Sequence, residues 1–295
     1  MNQFINYTIA FCLQCIGAVS GLHPQKIRLM LGAFLGFILM NISSKRYKLT
    51  LRNIQSAFPE KSKQWHLNIA RASYKNLGIV LAEILAFPWL NNSKISKLIR
   101  YKNIELLEQA ASRKKGLILL SGHYGNWELL AYSAGLLSGI SINVVVIQQH
   151  NQYADEHINQ FRTRHNNRII PTANAARQIV QKLRLGETVA LLADQAADGS
   201  KDIFVEFFGR PAATYETPAA LALKFGVPII IGFAQRDKDG LYTVELQEIV
   251  HDDLEYSKQG ILELTKRHVA ALEQAIRERP ELWAWQHNRW KYEHR

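Results

Sequence analysis

The sequence predicts an α/β fold in which a mostly parallel central sheet is flanked by helices, with an apolar N-terminal helical membrane anchor before it. Three observations lead to this fold class. Apolar runs and helical stretches alternate from residue 117 onward, which is the pattern of parallel βαβ units. These runs are apolar throughout, as expected for strands that are covered on both faces of a sheet. Finally, most of the first 45 residues are apolar.

The N-terminal segment, residues 1–45, is predicted to associate with a membrane, and residues 46–295 are predicted to form the α/β domain. Its apolar runs, 4–22 and 29–42, do not provide the roughly 20 uninterrupted apolar residues of a membrane span, so we expect helices that lie in the bilayer or dip into it. The alternative is a pair of buried helices in a soluble domain. Basic residues follow the second run and would face an anionic cytoplasmic leaflet: Lys45, Arg46, Lys48 and Arg52.

Short β-branched runs predict strands, and stretches of helical period predict the helices between them. The predicted strands lie at residues 117–120, 142–147, 188–193 and 227–233. The predicted helices lie at about 63–86, 104–110, 155–166, 175–185, 218–225 and 259–278, with a further helix beginning at Trp127 behind Asn126 as its N-cap.

A histidine stands at the end of the first predicted strand, and a carboxylate follows five positions later. The segment Gly-His-Tyr-Gly-Asn-Trp-Glu places His123 in a glycine-rich turn and Glu128 in the first turn of the next helix. If the turn folds His123 back, Glu128 can hold one imidazole nitrogen so that the other acts as a general base. The alternative is a structural hydrogen bond at the start of a helix.

The same segment lacks an enzyme nucleophile. Ser121 precedes His123 by two positions, but its neighbours do not form Gly-x-Ser-x-Gly. We therefore expect the activated hydroxyl to belong to the substrate, as in direct acyl transfer from a thioester to an alcohol.

Polar residues follow the other predicted strands as well. They are the stretch 148–150, Asp194 with Gln195, and Arg236. Because ligands bind outside the carboxyl ends of parallel strands, these residues and His123 predict a site at one edge of the sheet.

Other features leave alternatives open. The stretch 207–214 reads as an apolar turn in which Arg210 either binds an anion beside an acyl groove or caps the core. His268, on the helix 259–278, is expected to be a packed histidine. The tryptophan-rich stretch 282–291 predicts an interfacial anchor, a nucleic-acid stacking surface or a terminal segment docked on the core.

Composition restricts the function classes. The formal charge of +11 predicts an anionic partner, such as a phospholipid surface, a phosphorylated substrate, an acidic carrier protein or nucleic acid. Cys12 and Cys15 lie in an apolar run without the partner pair of a zinc site, and the histidines lack metal-ligand spacing. We therefore expect neither a metal nor a cofactor.

Taken in order, several motifs resemble those of the late acyltransferases of lipid A biosynthesis, over nearly the whole chain. The motifs are Asn53-Ile54 with residues 57–60, residues 122–128, Ala193-Asp194-Gln195, residues 207–209 with Pro211, Ala212 and Thr214, and Trp285 with His287, Arg289 and Lys291. The sequence departs from the family pattern at Gln149, where many relatives carry Arg, and at Thr217, where they carry Gly.

This resemblance implies an enzyme on the cytoplasmic face of the bacterial inner membrane. It would move a fatty acyl chain from acyl carrier protein to a hydroxyl of a glycolipid, with His123 as general base, Glu128 as its orienting carboxylate and the Asp194 loop in the site. The predicted substrate-binding residues are Asn126, Arg164, Arg168, Asp194, Gln195, Arg210 and Arg236, with Arg164 or Arg168 as the cation for a donor phosphate or a developing oxyanion. A nucleic-acid partner is not expected.

Three alternatives accompany this interpretation. Transfer to another glycolipid or phospholipid would use the same residues. A thioesterase would use water as the acceptor. A basic protein without catalysis would bind nucleic acid or anionic membrane with strong salt dependence.

Overall fold

The computed structural model describes residues 3–148, 151–200 and 202–292, and it confirms the predicted α/β class. Its helices are, in chain order, α1 (Gln3–Leu22), α2 (Gln25–Ile42), α3 (Ser44–Ala57), α4 (Lys63–Ala86), α5 (Asn92–Ser96), α6 (Glu105–Ser112), α7 (Trp127–Ser138), α8 (Gln152–Arg162), α9 (Ala175–Arg184), α10 (Thr217–Phe225) and α11 (Lys258–Glu278). Its strands are β1 (Ile99–Tyr101), β2 (Leu117–Ser121), β3 (Ile142–Val146), β4 (Arg168–Pro171), β5 (Thr188–Leu192), β6 (Ile203–Phe207), β7 (Arg210–Thr214), β8 (Ile229–Arg236) and β9 (Tyr242–Glu248).

Strand β2 lies at the centre of a seven-stranded sheet with the order β1-β9-β8-β2-β5-β3-β4. It pairs in parallel with β5 on one side and β8 on the other, and all five of its residues are buried. Strand β9 runs antiparallel to β8, and β1 pairs in parallel with β9, so these two strands oppose the rest. The carboxyl ends of β2, β5 and β8 therefore meet at one edge, which is where the sequence predicted a site.

The predicted turn at 207–214 is instead the closed end and second strand of a hairpin. Strands β6 and β7 pair antiparallel with Phe207 opposite Arg210. The two loop residues, Phe208 and Gly209, have φ values of 54° and 68°, which fits a tight two-residue hairpin turn. The sequence prediction missed the strands because the hairpin lacks the usual Asn-Gly or Asp-Gly signal.

Helices α1 and α2 pack against α4. A Cβ added to Gly78 of α4 would lie 2.2 Å from the backbone nitrogen of Gly36 and 2.3 Å from the carbonyl oxygen of Gly32, both on α2, so the backbones touch directly. The outer side of α2 is apolar and exposed, with Met30, Phe34 and Phe37 all at least 60% accessible. By length and composition α2 is able to cross a membrane, and 17% of it is buried.

The C-terminal segment, residues 282–292, docks on the core, as one of the three sequence alternatives stated. Trp283, Trp285 and Arg289 are fully buried. Polar side chains from α3 and α4 hold its backbone: Asn76 donates to Leu282 O and Ser73 to Trp283 O. Asn53 donates to the carbonyl oxygens of Trp285 and His287. His268 is buried on α11, as predicted for a packed histidine.

Candidate active site

The turn after β2 carries His123 and is fixed by β8. The backbone nitrogen of Asn126 donates to Ala234 O over 3.2 Å. Gly125 adopts φ +56°, and a Cβ at this position would lie 1.7 Å from Ala234 O. Because any side chain would collide with the strand backbone, the close contact requires glycine.

The C-terminal segment holds the same turn from a second direction. Gly125 N donates to Leu282 O over 2.9 Å, and Ala284 N donates to His123 O over 3.0 Å. The histidine backbone is thus bonded to a segment about 160 residues away along the chain, which fixes its position before any substrate binds.

The carboxylate that contacts His123 is Asp194, not Glu128 as the sequence analysis expected. The Asp194 Oδ1 atom lies 2.8 Å from Nδ1 of the imidazole, and its Oδ2 atom accepts from the His123 backbone nitrogen over 2.8 Å. Asp194 follows β5, and β5 pairs with β2, so sheet pairing brings the two strand ends together. The spacing of His123 and Glu128 in the sequence carries no information about that pairing.

A tryptophan provides a further hydrogen bond to Asp194. The indole nitrogen of Trp283 donates to Oδ2 over 2.8 Å. Burial alone would raise the pKa of Asp194, but His123 and Trp283 outweigh it and lower the pKa to about 2. The carboxylate is therefore ionised and accepts from Nδ1, so that the second imidazole nitrogen, Nε2, is left as the basic atom. Burial lowers the pKa of His123, but the charge of Asp194 outweighs it and the net pKa is raised.

Glu128 pairs with Arg162 of α8. The Arg162 Nε atom donates to Oε2 over 2.9 Å and Nη2 donates to Oε1 over 2.5 Å, a two-pronged contact between nearly buried side chains. Burial lowers the pKa of Arg162, but the hydrogen bonds and charge of Glu128 more than offset this effect, so the pKa of Arg162 is raised.

A cavity of about 690 Å³ opens beside these groups. Its polar end is formed by His123, Glu128, Arg162 and Gln195. The Trp127 ring lies beside the imidazole, with the ring centroids 5.0 Å apart and the ring planes tilted by 59°. The rest of the wall is mostly apolar and comes from α4, β2, α7, β3, α8, α9, β5 and the start of α10. These apolar wall residues include Leu81, Ile84, Leu119, Leu130, Val144, Val146, Ile158, Ala176, Ile179, Ala190 and Leu192.

Gln195 lies next to Asp194 and lines the cavity, in the position that the sequence analysis expected. Its Nε2 atom is 3.5 Å from Nδ1 and 3.4 Å from Nε2 of His123. These nearly equal distances place the amide beside the imidazole ring.

Asn126 does not offer its side chain to a substrate, contrary to prediction. It is completely buried, and its Oδ1 atom caps α7 by accepting from Leu129 N over 3.0 Å. Its Nδ2 atom donates to Glu83 over 2.8 Å. The cap itself confirms the predicted start of the helix.

The two arginines proposed as the site cation lie outside the cavity wall. Arg164 donates to the carbonyl oxygens of Pro88 and Leu90, and Arg168 pairs with Glu187. The cation on the wall is Arg162, two positions earlier on the chain. Arg162 is the last residue of α8, whereas Arg164 lies beyond the helix and Arg168 begins β4.

Arg210 and Arg236 also lie apart from the cavity. Arg210 is exposed with its guanidinium carbon 5.2 Å from the ring centroid of Trp290. Arg236 stands at the predicted strand end, but its Nη2 atom donates to Asn76 Oδ1 over 2.6 Å. Neither guanidinium group lines the cavity beside His123.

The two departures from the family pattern have different outcomes. Gln149, with its neighbour His150, lies outside the described residues. Thr217, at the start of α10, lines the cavity.

Within the described ranges, no group of three or more His, Cys, Asp or Glu side chains is placed to hold a metal ion.

Comparison with known proteins gives one family. A family model described as "Bacterial lipid A biosynthesis acyltransferase" matches residues 3–292. The chain is 21% identical over 272 residues to an Escherichia coli (strain K12) lipid A biosynthesis lauroyltransferase. The match covers 91% of this chain and 86% of that protein. The chain is 22% identical over 275 residues to the palmitoleoyltransferase of the same organism, with the same coverage. A Haemophilus influenzae lipid A biosynthesis acyltransferase is 22% identical over 268 residues, or 89% of this chain and 81% of that protein.

Replacement of Trp283 by Phe should destabilise the fold by about 1.5–3 kcal/mol at pH 7, because a buried carboxylate loses a charge-assisted hydrogen bond. Urea unfolding monitored by circular dichroism measures this loss. Trp290→Phe is the matched control, since the Trp290 indole nitrogen has no hydrogen-bond partner in the structure. Equal losses in the two variants would show that the Trp283 contact adds no stability beyond packing.

Proposed function

The chain belongs to the bacterial lipid A biosynthesis acyltransferase family, and we propose that it transfers a fatty acyl chain from acyl carrier protein to a hydroxyl of a lipid A precursor. The observation that carries this proposal is the imidazole of His123, held by Asp194 at the polar end of an apolar cavity. The relatives are lauroyl- and palmitoleoyltransferases of lipid A biosynthesis, which supports acyl transfer in that process, and the chemistry of the site supports the proposed steps.

His123 is the proposed general base. Its Nε2 atom takes the proton from the acceptor hydroxyl as the oxygen attacks the thioester carbonyl carbon, forming a tetrahedral intermediate. Collapse breaks the carbon–sulfur bond, and the proton held by the imidazole passes to the departing thiolate. Asp194 stabilises the imidazolium that forms between these two steps.

A covalent enzyme intermediate is not required. Ser121, the last residue of β2, lies two positions before His123 and is buried. Its hydroxyl donates to Gly232 O over 2.7 Å. Because the Ser121 hydroxyl donates to the backbone of β8 and not to His123, this geometry supports attack by the substrate's own oxygen.

Glu128 and Arg162 are proposed to act as one unit on the cavity wall. Arg162 supplies positive charge near the carbonyl oxygen that becomes negative in the intermediate, and Glu128 fixes the orientation of its guanidinium group. This assignment replaces the role of orienting carboxylate that the family resemblance implied for Glu128. The Glu128 charge also adds to the field that raises the pKa of His123.

The cavity suits a hydrocarbon chain. Its volume of about 690 Å³ lies within the roughly 300–1,000 Å³ of typical ligand sites, and most of its lining is aliphatic. The thioester carbonyl would lie at the charged end beside His123, with the tail among the aliphatic side chains. The net charge of +11 favours both an acidic carrier protein and a phosphorylated glycolipid.

Membrane association is proposed for residues 1–45, with the protein on the cytoplasmic face of the inner membrane. The exposed apolar side of α2, with Met30, Phe34 and Phe37, supports this proposal. Such a continuous apolar face is costly in water and is expected to be buried in lipid.

The His123→Ala variant should lose acyl transfer by about 10²–10⁴-fold, because it lacks the general base. The assay uses purified protein in detergent with acyl carrier protein thioester and a lipid A precursor, and mass spectrometry detects the acylated product. His251→Ala, outside the cavity lining, is the control and should keep wild-type activity. Retained turnover in His123→Ala contradicts the mechanism, and free fatty acid released equally with and without the glycolipid contradicts transferase function.

The pH dependence of kcat/KM should show an acid limb with a midpoint above 6.5. The neutral imidazole is the active form, and the Asp194 charge raises the pKa of His123, so activity appears only as pH rises through that raised pKa. In Asp194→Asn the midpoint should move to lower pH, because burial then acts without the opposing carboxylate, and the maximal rate should fall by about 10²–10⁴-fold.

Asp253→Asn is the control for this pH experiment. The Asp253 carboxylate also has a pKa of about 2, which is lowered mainly by its hydrogen bond to Arg267, but it lies outside the cavity lining. An acid limb that stays in place in Asp194→Asn would show that Asp194 does not set the basicity of His123.

The double substitution Phe34→Asp with Phe37→Asp should release the protein from vesicles of phosphatidylethanolamine and phosphatidylglycerol, as measured by flotation. Each charge would have to enter the apolar boundary of the bilayer. Val250→Asp is the matched control, because Val250 is equally exposed but lies in the α/β domain. Flotation of the double variant at the wild-type level contradicts the proposed membrane face.

A further inference from the structure

Helix α4 carries a buried carboxylate that the proposed mechanism does not use. Glu83 is completely inaccessible to solvent. Its Oε2 atom accepts two hydrogen bonds, from Asn126 Nδ2 over 2.8 Å and from the Tyr242 hydroxyl over 2.5 Å. A buried carboxylate is costly unless it is well paired, so its presence beside the histidine turn calls for a role.

Asn126 connects Glu83 to the site. It lies three residues after His123 and two before Glu128, and its Oδ1 atom caps α7. The donor bond from Nδ2 to Glu83 fixes which way the amide group points. Without that acceptor, the amide would be buried with an unsatisfied donor, and the turn would gain freedom at the point where β2 passes into α7.

Glu83 is also tied to the N-terminal helices by charge. Arg28 of α2 is buried, its Nη1 atom donates to Ser20 O of α1, and its guanidinium group acts electrostatically on Glu83. Arg236 of β8 supplies a second positive charge. Burial raises the pKa of Glu83, and the Tyr242 hydroxyl together with these two arginines opposes that rise. Burial outweighs these groups, so the net pKa of Glu83 is raised. One hydrogen bond of this carboxylate holds the turn after β2, while α2, β8 and β9 supply the groups that oppose its burial cost.

We propose that Glu83 is a positioning residue for acyl transfer, which acts on His123 through Asn126 and couples the seating of helix α2 to the geometry of the site. This inference rests on the proposed function. The expected loss of rate on removing Glu83 follows from the sensitivity of catalysis to geometry. A displacement of a catalytic group by about 1 Å costs on the order of 10²-fold in rate.

The test compares variants at the two hydrogen bonds of the same carboxylate oxygen. Glu83→Leu removes the acceptor for both donors and should lower kcat by about 10- to 100-fold with little change in KM for the acyl donor. Glu83→Gln keeps an acceptor oxygen and should restore most of that rate. Tyr242→Phe removes the Tyr242 bond and leaves the bond from Asn126 Nδ2 to Glu83 in place, so its kcat should stay within about threefold of wild type.

Asn126→Ser carries the test even where Glu83→Leu does not fold. The serine oxygen keeps the helix cap, but the shorter side chain lacks the amide NH2 group that donates to Glu83, so kcat should fall as in Glu83→Leu. The double variant Glu83→Leu with Asn126→Ser should be no slower than either single variant, because both remove the same interaction. Additive losses would overturn the proposal, as would equal losses in Asn126→Ser and Tyr242→Phe or an inactive Glu83→Gln.

A second readout separates this proposal from the proposed function. Nuclear magnetic resonance of the His123 imidazole follows its chemical shifts and titration midpoint without any reaction. Both should change in Asn126→Ser and remain at the wild-type values in Tyr242→Phe. If the wild-type protein transfers no acyl chain, the function fails while the imidazole shifts still decide the positioning role; unchanged shifts in Asn126→Ser overturn it.

Discussion

The arrangement around the Asp194 carboxylate determines most of what this site is able to do. A single buried charge accepts from the backbone and ring of His123 and from the indole of Trp283. Two of these donors belong to His123 after β2 and the third to Trp283, so the carboxylate joins the ends of β2 and β5 to the C-terminal segment. Because the ionised form is strongly favoured, the tautomer of the imidazole and the position of its free nitrogen are fixed together.

Helix α4 extends this constraint to the rest of the molecule. One part of its surface receives the N-terminal helices through a backbone contact at Gly78. Other positions, Ser73 and Asn76, hold the C-terminal segment by its carbonyl groups, and Glu83 holds Asn126. The apolar N-terminal helices are therefore packed on the same element that supports the active-site turn. A membrane-bound α2 would then anchor the protein and also stabilise the turn.

The contacts of Glu128 are set by the neighbouring helix α8 and not by its spacing from His123 in the sequence. Glu128 stands five positions after His123, yet both of its oxygens are occupied by a guanidinium from α8. The sequence spacing identified a carboxylate near the imidazole, and it occupies the cavity wall as expected. The orienting contact is made by Asp194, since parallel pairing of β2 with β5 brings that residue closer to Nδ1.

The sequence by itself determined the fold class, the bounds of α4, the cap at Asn126 and the strand edge at which the site lies, because apolar periodicity, capping residues and glycine act locally. It also selected His123, Asp194 and Gln195 from strand ends. Only the tertiary structure decided which carboxylate contacts the imidazole and that Arg162 is the arginine on the cavity wall. Those choices depend on which strands are neighbours and which way a helix face turns, and both are set by long-range packing that local patterns do not encode.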